Sequence, residues 1–182
     1  MRHLTVNLPP PDRNVYRMLV ASAKAYGLAP ALHQPDGQGG YRTYSWIEMR
    51  QLVEEIAAGL RSLGIRLGDV VALASETRAE FVLADFAIMA AGGISAAVYT
   101  SLAFADQART LAGCRPKAIF YESPKTMAAI EQAGAGGIEA RRILLTGEAE
   151  GATTLAQLRK RGREAMALHP HFVAGFTAEL AP

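Results

Sequence analysis

Apolar positions along this chain change spacing repeatedly, and the changes divide it into elements. From Asn14 to Tyr26 the residues Val15, Met18, Leu19 and Ala23 fall on one stripe at a spacing of about 3.6 residues, and Gly27 stops the run. An amphipathic helix is expected there. Ala31-Leu32-His33 and Tyr41-Arg42-Thr43-Tyr44 predict two short strands, joined through Pro35-Asp36-Gly37-Gln38-Gly39-Gly40 as a hairpin. A longer helix follows: Ser45 caps it, Glu48 completes a capping box and Tyr44 staples onto Met49. Its apolar stripe is Met49, Leu52, Val53, Ile56, Leu60 and Leu63, with Glu48, Arg50, Glu54, Glu55 and Arg61 assigned to water and Gly64 as the stop.

From Val70 onward one unit recurs, an apolar strand without strict alternation followed by a turn and a helix. The predicted strands are Val70 to Ala74, Ile94 to Tyr99, Ala118 to Tyr121 and Ile143 to Leu145. The predicted helices begin at Thr77 with Glu80, at Phe104, at Ser123-Pro124 and at Thr154 with Gln157. Continuous apolar strands are buried on both faces, and strands that alternate with helices need crossovers. The fold class is therefore α/β, a mostly parallel doubly wound sheet flanked by helices, with a small N-terminal hairpin. Residues 1–12, with Pro9-Pro10-Pro11, read as an extended arm, 13–165 as a compact core and 166–182 as an irregular tail.

Composition narrows the function. With 182 residues, half of them hydrophobic, the chain can bury a substantial core. A net charge of +2, spread along the sequence, supplies no field for duplex binding, so nucleic acid is not expected as a partner. Cys114 is the only cysteine, which excludes an internal disulfide and suits a reducing, cytoplasmic setting. The start reads as no secretory signal. Phe81 to Thr100 contains Asp85 and Gly92-Gly93, so it reads as a buried helix then a strand, and no transmembrane segment is expected.

Known chemical motifs are mostly missing. Open parallel sheets bind ligands at the carboxyl ends of their strands, here the loops after Ala74, Tyr99, Tyr121 and Leu145. Ser75-Glu76-Thr77-Arg78 lacks the glycine fingerprint of a dinucleotide site, and Gly134-Ala135-Gly136-Gly137 lacks the lysine and hydroxyl of a phosphate cradle and reads as a turn. The histidines His3, His33, His169 and His171 show no metallohydrolase spacing, and there is no nucleophile elbow. Cys114 reads as a packing residue. Arg159, Lys160, Arg161 and Arg163 form the one dense basic cluster, assigned to a solvated helix face.

Residues 41 to 121 resemble the amino-terminal region of acyl-CoA ligases of the adenylate-forming family, above all the long-chain fatty acid type. The match rests on Tyr41-Arg42-Thr43-Tyr44-Ser45-Trp46, on Ala57 to Ile65 followed by Leu67-Gly68-Asp69-Val70-Val71-Ala72, and on Ser75 to Phe81 followed by Ala84 to Gly92. Val98-Tyr99-Thr100-Ser101-Leu102 resembles the next loop, though the proline usual there is absent. The resemblance implies a parent enzyme that joins a fatty acid to AMP from ATP, with magnesium, and passes the acyl group to coenzyme A. It also implies that Tyr99, Thr100, Ser101 and Lys125 meet the phosphate groups of coenzyme A, plain loop and helix-start roles being the alternative.

The family's phosphate loop ending in Pro-Lys-Gly and its later motifs do not occur, and Leu102-Ala103-Phe104 stands where that loop's glycine and threonine should be. No catalytic residue is assigned, and the chain alone is expected to be inactive. Two rivals stay open: a non-catalytic scaffold domain derived from the same lobe, and a stand-alone nucleotide-binding α/β module. A homodimer is a further expectation, because the surface left for a missing lobe would be apolar.

Overall fold

The computed structural model describes residues 14–169 together with Val173 and Gly175. The arm read at 1–12 and most of the tail at 166–182 lie outside them. The chain runs α1 (Val15–Tyr26), β1 (Pro30–Pro35), β2 (Tyr41–Ser45), α2 (Trp46–Ser62), β3 (Val70–Ala74), α3 (Ala79–Ala90) and β4 (Ile94–Ala97). It continues through α4 (Phe104–Cys114), β5 (Ala118–Tyr121), α5 (Pro124–Ile130), a π-helical turn (Glu131–Ala135), β6 (Arg141–Leu144), β7 (Thr153–Thr154) and α6 (Leu155–Leu168). β1 and β2 form the antiparallel hairpin; the other five strands form one parallel sheet in the order β4-β3-β5-β6-β7.

Why the central strands β3 and β5 are apolar throughout is plain from their two faces. Val71, Leu73, Ala118, Phe120 and Ile143 point into a layer made by α1, α2, α3 and α6. Ala72, Ala74, Ile119, Tyr121 and Leu144 point into the opposite layer, with Ala108 and Leu111 of α4 and Met127 and Ile130 of α5. Successive strand residues alternate between the faces, so both must be apolar. The doubly wound expectation holds.

Four local readings need correction. Glu55, assigned to water, is 2% exposed. Its carboxylate accepts from Arg159 Nε at 2.7 Å and Arg163 Nη1 at 3.0 Å, so two members of the basic cluster serve the α2–α6 contact and only part of that cluster faces solvent. From sequence Glu55 reads as wet because its partners lie more than a hundred positions later. Thr77 does not cap α3: the N-cap is Arg78, whose guanidinium bonds Glu80 at 2.7 Å, and the Ala79 N–H donates instead to Gln34 Oε1 at 2.7 Å. The Ser45 cap forms, but Glu48 turns its carboxylate toward Arg42 at 3.4 Å. Met18, placed on the buried stripe, is half exposed.

Other punctuation stands as read. Asn14 caps α1, Ser123 caps α5 with Pro124 in its first turn, and Thr154 with Gln157 forms a complete capping box on α6. The tightest helix pair is α2 with α6, where a methyl group built on Gly162 would overlap the Glu55 carbonyl and one on Gly59 would overlap that of Leu158. Only glycine at both positions lets the two backbones come this close.

Candidate functional site

The strand order reverses between β3 and β5, whose following helices α3 and α5 lie on opposite faces of the sheet. That crevice at the carboxyl ends is where an open α/β sheet takes its ligand. Here the chain fills it with its own carboxylate. Glu122, directly after β5, accepts from the Glu76 N–H at 2.8 Å and lies 3.3 Å from the buried Ser75 hydroxyl, which is itself 2.9 Å from the Glu76 carbonyl. The Thr146 hydroxyl and N–H both donate to the Glu122 carbonyl, at 2.6 and 3.0 Å. The loops after β3, β5 and β6 are thereby tied together. The Glu122 carboxylate occupies this point, so it repels a phosphate group.

The sequence-assigned contacts sit beside this crevice. Tyr99 is 79% exposed, Ser101 is exposed and Thr100 half-buried; their hydroxyls make no hydrogen bond among the described residues. Gln107, buried in α4, holds their loop by donating from Nε2 to the carbonyls of Leu102 at 2.8 Å and Thr100 at 3.3 Å. Its Oε1 has no partner among the described residues. Sequence reading passed over Gln107, although a glutamine among the apolar positions of a helix is the signal that finds such a clamp.

Lys125 is exposed in the first turn of α5 and makes no ion pair among the described residues. The structure groups Tyr99, Thr100 and Ser101 on one loop but leaves Lys125 apart. β4 and β5 flank β3, so their ends are separated by two strand spacings, roughly 10 Å.

A cavity of about 580 Å³ lies at the opposite, amino ends of the strands, lined by Leu63, Lys117, Gly136, Gly137, Arg141 and Arg142 among others. The glycines there form a turn, as read from the sequence. Two of its charges are engaged within the fold, Arg142 with Glu131 at 2.5 Å and Lys117 near Asp69 at 3.6 Å. We place the candidate site at the carboxyl ends, where unpartnered hydroxyls face solvent.

Cys114 is half-buried near the end of α4, and burial raises its thiol above the ordinary range, consistent with a packing role. No group of three or more His, Cys, Asp or Glu among the described residues is arranged to hold a metal ion. Nor is any helix among them long and apolar enough to cross a membrane.

A family profile described as "AMP-binding enzyme" matches residues 19–174. The chain is 39% identical over 74 residues to "Uncharacterized protein Rv1549" of Mycobacterium tuberculosis, a stretch that is 41% of each chain. It is 29% identical over 115 residues to the long-chain-fatty-acid–CoA ligase FadD15 of Mycobacterium tuberculosis, covering 63% of this chain and 19% of that enzyme. Among solved structures, a long-chain-fatty-acid-CoA ligase (FadD1) from Archaeoglobus fulgidus superposes with a TM-score of 0.75 at 13% identity, over 85% of this chain and 31% of that one. The anthranilate CoA ligase AuaEII, solved with anthranoyl-AMP, gives 0.73 at 21% identity, over 84% and 29%. At such identities the superpositions establish the fold. The matched stretch is about a fifth of the ligase relative's length and under a third of either solved chain.

Proposed function

We propose that this chain, which belongs to the AMP-binding enzyme family, supplies the amino-terminal lobe of an AMP-forming long-chain fatty acid–CoA ligase. The observation that carries this reading is the profile match over residues 19–174, borne on a parallel sheet superposable on such ligases. The fatty acid preference rests on the FadD15 match, set against an equally good fold match to an anthranilate ligase. The parent reaction would use ATP and coenzyme A in the cytoplasm.

The lobe's residues do not fit ATP with magnesium. The crevice where a nucleotide would sit holds the Glu122 carboxylate, no glycine-rich phosphate loop is present, and no acidic cluster among the described residues suits the metal. Adenylyl transfer depends on positioned positive charge about the phosphates, which this lobe does not gather. The stand-alone nucleotide-binding reading is weakened by the same observation.

Coenzyme A fits better at the edge of the sheet. Among the described residues the Thr100 and Ser101 hydroxyls have unused donors, and the Lys125 ammonium, near the carboxyl end of β5, makes no ion pair. In our reading these groups, with Tyr99, meet its phosphates without taking part in bond breaking.

Pyrophosphate release tests the proposal. The purified chain, given ATP, magnesium and palmitate, should release none above background, whereas steady turnover would overturn the assignment. Calorimetric titration with coenzyme A should show weak binding that Lys125→Ala lowers further, and binding unchanged by that substitution would remove Lys125 from the site.

A further inference from the structure

The cavity of about 580 Å³ at the amino ends of the strands brings together cations from separate segments of the chain. Lys117 precedes β5, and Arg141 and Arg142 open β6, the neighbouring strand. The Arg141 N–H donates to the Lys117 carbonyl at 2.9 Å, so these two exposed side chains leave adjacent points on the sheet. Arg66 stands beside the lining, its Nη1 donating to the carbonyl of Ile65, a lining residue, at 3.1 Å.

These cations keep much of their capacity to bind. Arg141 makes no ion pair among the described residues. Arg142 spends its Nε on Glu131, and its two terminal nitrogens have no partner among the described residues. Lys117 meets Asp69 only at 3.6 Å, beyond hydrogen-bond length. In both pairs the cation is the more exposed member, 64% against 18% for Lys117 and 32% against 22% for Arg142, so the carboxylates orient cations that face the water. Of the acidic side chains only Glu139 belongs to the lining itself.

Backbone donors complete the lining. The N–H groups of Gly137 and Glu139 make no hydrogen bond among the described residues. Nothing lies within 4 Å of the point where a Gly137 side chain would start, so a ligand can reach its backbone. Glu131, which holds Arg142, opens the π-helical turn that leads into Gly136 and Gly137, so one segment both anchors an arginine and presents free amides. In sequence Gly134-Ala135-Gly136-Gly137 lacks the lysine of a phosphate cradle; in space the starts of β5 and β6 bring cations to it.

We propose that this amino-end cavity binds a small phosphate-bearing anion, held by Lys117, Arg141, Arg142 and the amides of Gly137 and Glu139. Guanidinium forks, an ammonium and free amides offer donors only, and an oxyanion with several acceptor oxygens is what they match. The volume is that of a small-molecule pocket and leaves room beyond one phosphate group, so it admits inorganic diphosphate as well as a sugar phosphate. The inference does not depend on the ligase reading. Lys117 and Glu122 flank β5 roughly 16 Å apart along the strand, so a phosphate held here lies away from the carboxyl-end crevice and from Lys125.

The test titrates the full chain, at constant ionic strength and without magnesium, with inorganic pyrophosphate in one arm and ribose 5-phosphate in the other, following backbone amides by NMR. At least one probe should saturate the chain and shift the Gly137 and Glu139 amides. Saturation by pyrophosphate alone marks an inorganic ligand, and saturation by ribose 5-phosphate marks a phosphate carried on an ester. Arg141→Gln and Lys117→Gln should each weaken binding about tenfold, the worth of one charge-assisted hydrogen bond, whereas Lys125→Ala should leave it unchanged. Circular dichroism checks that these exposed-site variants remain folded. Saturation by neither probe, shifts at Thr100 and Ser101 in place of Gly137 and Glu139, or binding indifferent to Arg141→Gln and Lys117→Gln would overturn the site.

Discussion

Single residues here matter most where they join distant parts of the chain. Glu55 is held by Arg159 and Arg163 across the α2–α6 contact, with the carboxylate buried and both guanidinium groups partly exposed. Removing one partner of a fully buried pair costs about 3–5 kcal/mol; solvent around the arginines screens part of this. We expect the double variant Arg159→Met, Arg163→Met to lose roughly 2 kcal/mol in urea unfolding. Gly162→Ala should cost about 1–3 kcal/mol, because its new methyl must push the α2 backbone away. Neither effect was legible in sequence, where Glu55 has the spacing of a surface residue and Gly162 looks like a weak point in a helix. Asp36 is different: Asp-Gly in a turn is a local signal, and its carboxylate accepts from the N–H groups of Gln38 at 2.8 Å and Gly40 at 2.9 Å. These bonds lower its pKa below the ordinary 3.8, so what they add to the hairpin is present above that value and lost as pH falls through the lowered one. The Gln38 and Gly40 amides should therefore lose protection, measured against the intrinsic exchange rate at each pH, on acidification, and Asp36→Asn should remove that change.

At the scale of elements, sequence told most where the cap and the capped helix are neighbours. Ser45, Ser123 and Thr154 each bond a backbone N–H three positions later, so residue type and spacing sufficed to place the starts of α2, α5 and α6. α3 begins instead under a cap reaching from β1, whereas sequence points to Thr77 because it shows only local candidates. The Gln34 contact ties the hairpin to the start of α3, so Gln34→Ala should cost about 1 kcal/mol, the usual loss for a missing cap. Faster exchange of the Ala79 amide would identify the cause, and an unchanged rate would mean that water replaces the side chain fully. The candidate site divided the same way. The loop carrying Tyr99, Thr100 and Ser101 could be located from the strand pattern, but the Glu122 bridge that closes the neighbouring crevice joins residues from different crossovers and left no mark in any one segment.

For the molecule as a whole, the question is whether two helical layers on one sheet unfold together. Two tyrosines report on it from opposite sides. Tyr16, against the α1–α2 layer, has its phenol raised well above the ordinary 10.0, first by burial and then by Glu54, whose carboxylate it meets at 2.7 Å. Tyr121 of β5 faces the α4–α5 layer and is pushed up to about 12, by burial first and by Glu131 second. In both cases the folded state holds the proton more tightly than the unfolded chain does. Their contribution is therefore complete below pH 10 and drains away as pH rises toward and through the raised values. Because β3 and β5 present side chains to both layers at alternate positions, loss of either layer strips one face of the same strands. We expect a single alkaline transition above pH 10, in which phenolate absorbance and loss of helical circular dichroism share one midpoint. Tyr16→Phe and Tyr121→Phe should each flatten the fall in stability over this range while leaving one transition. Two separate midpoints, one moved only by the Tyr16 substitution and one only by the Tyr121 substitution, would show instead that the layers melt independently.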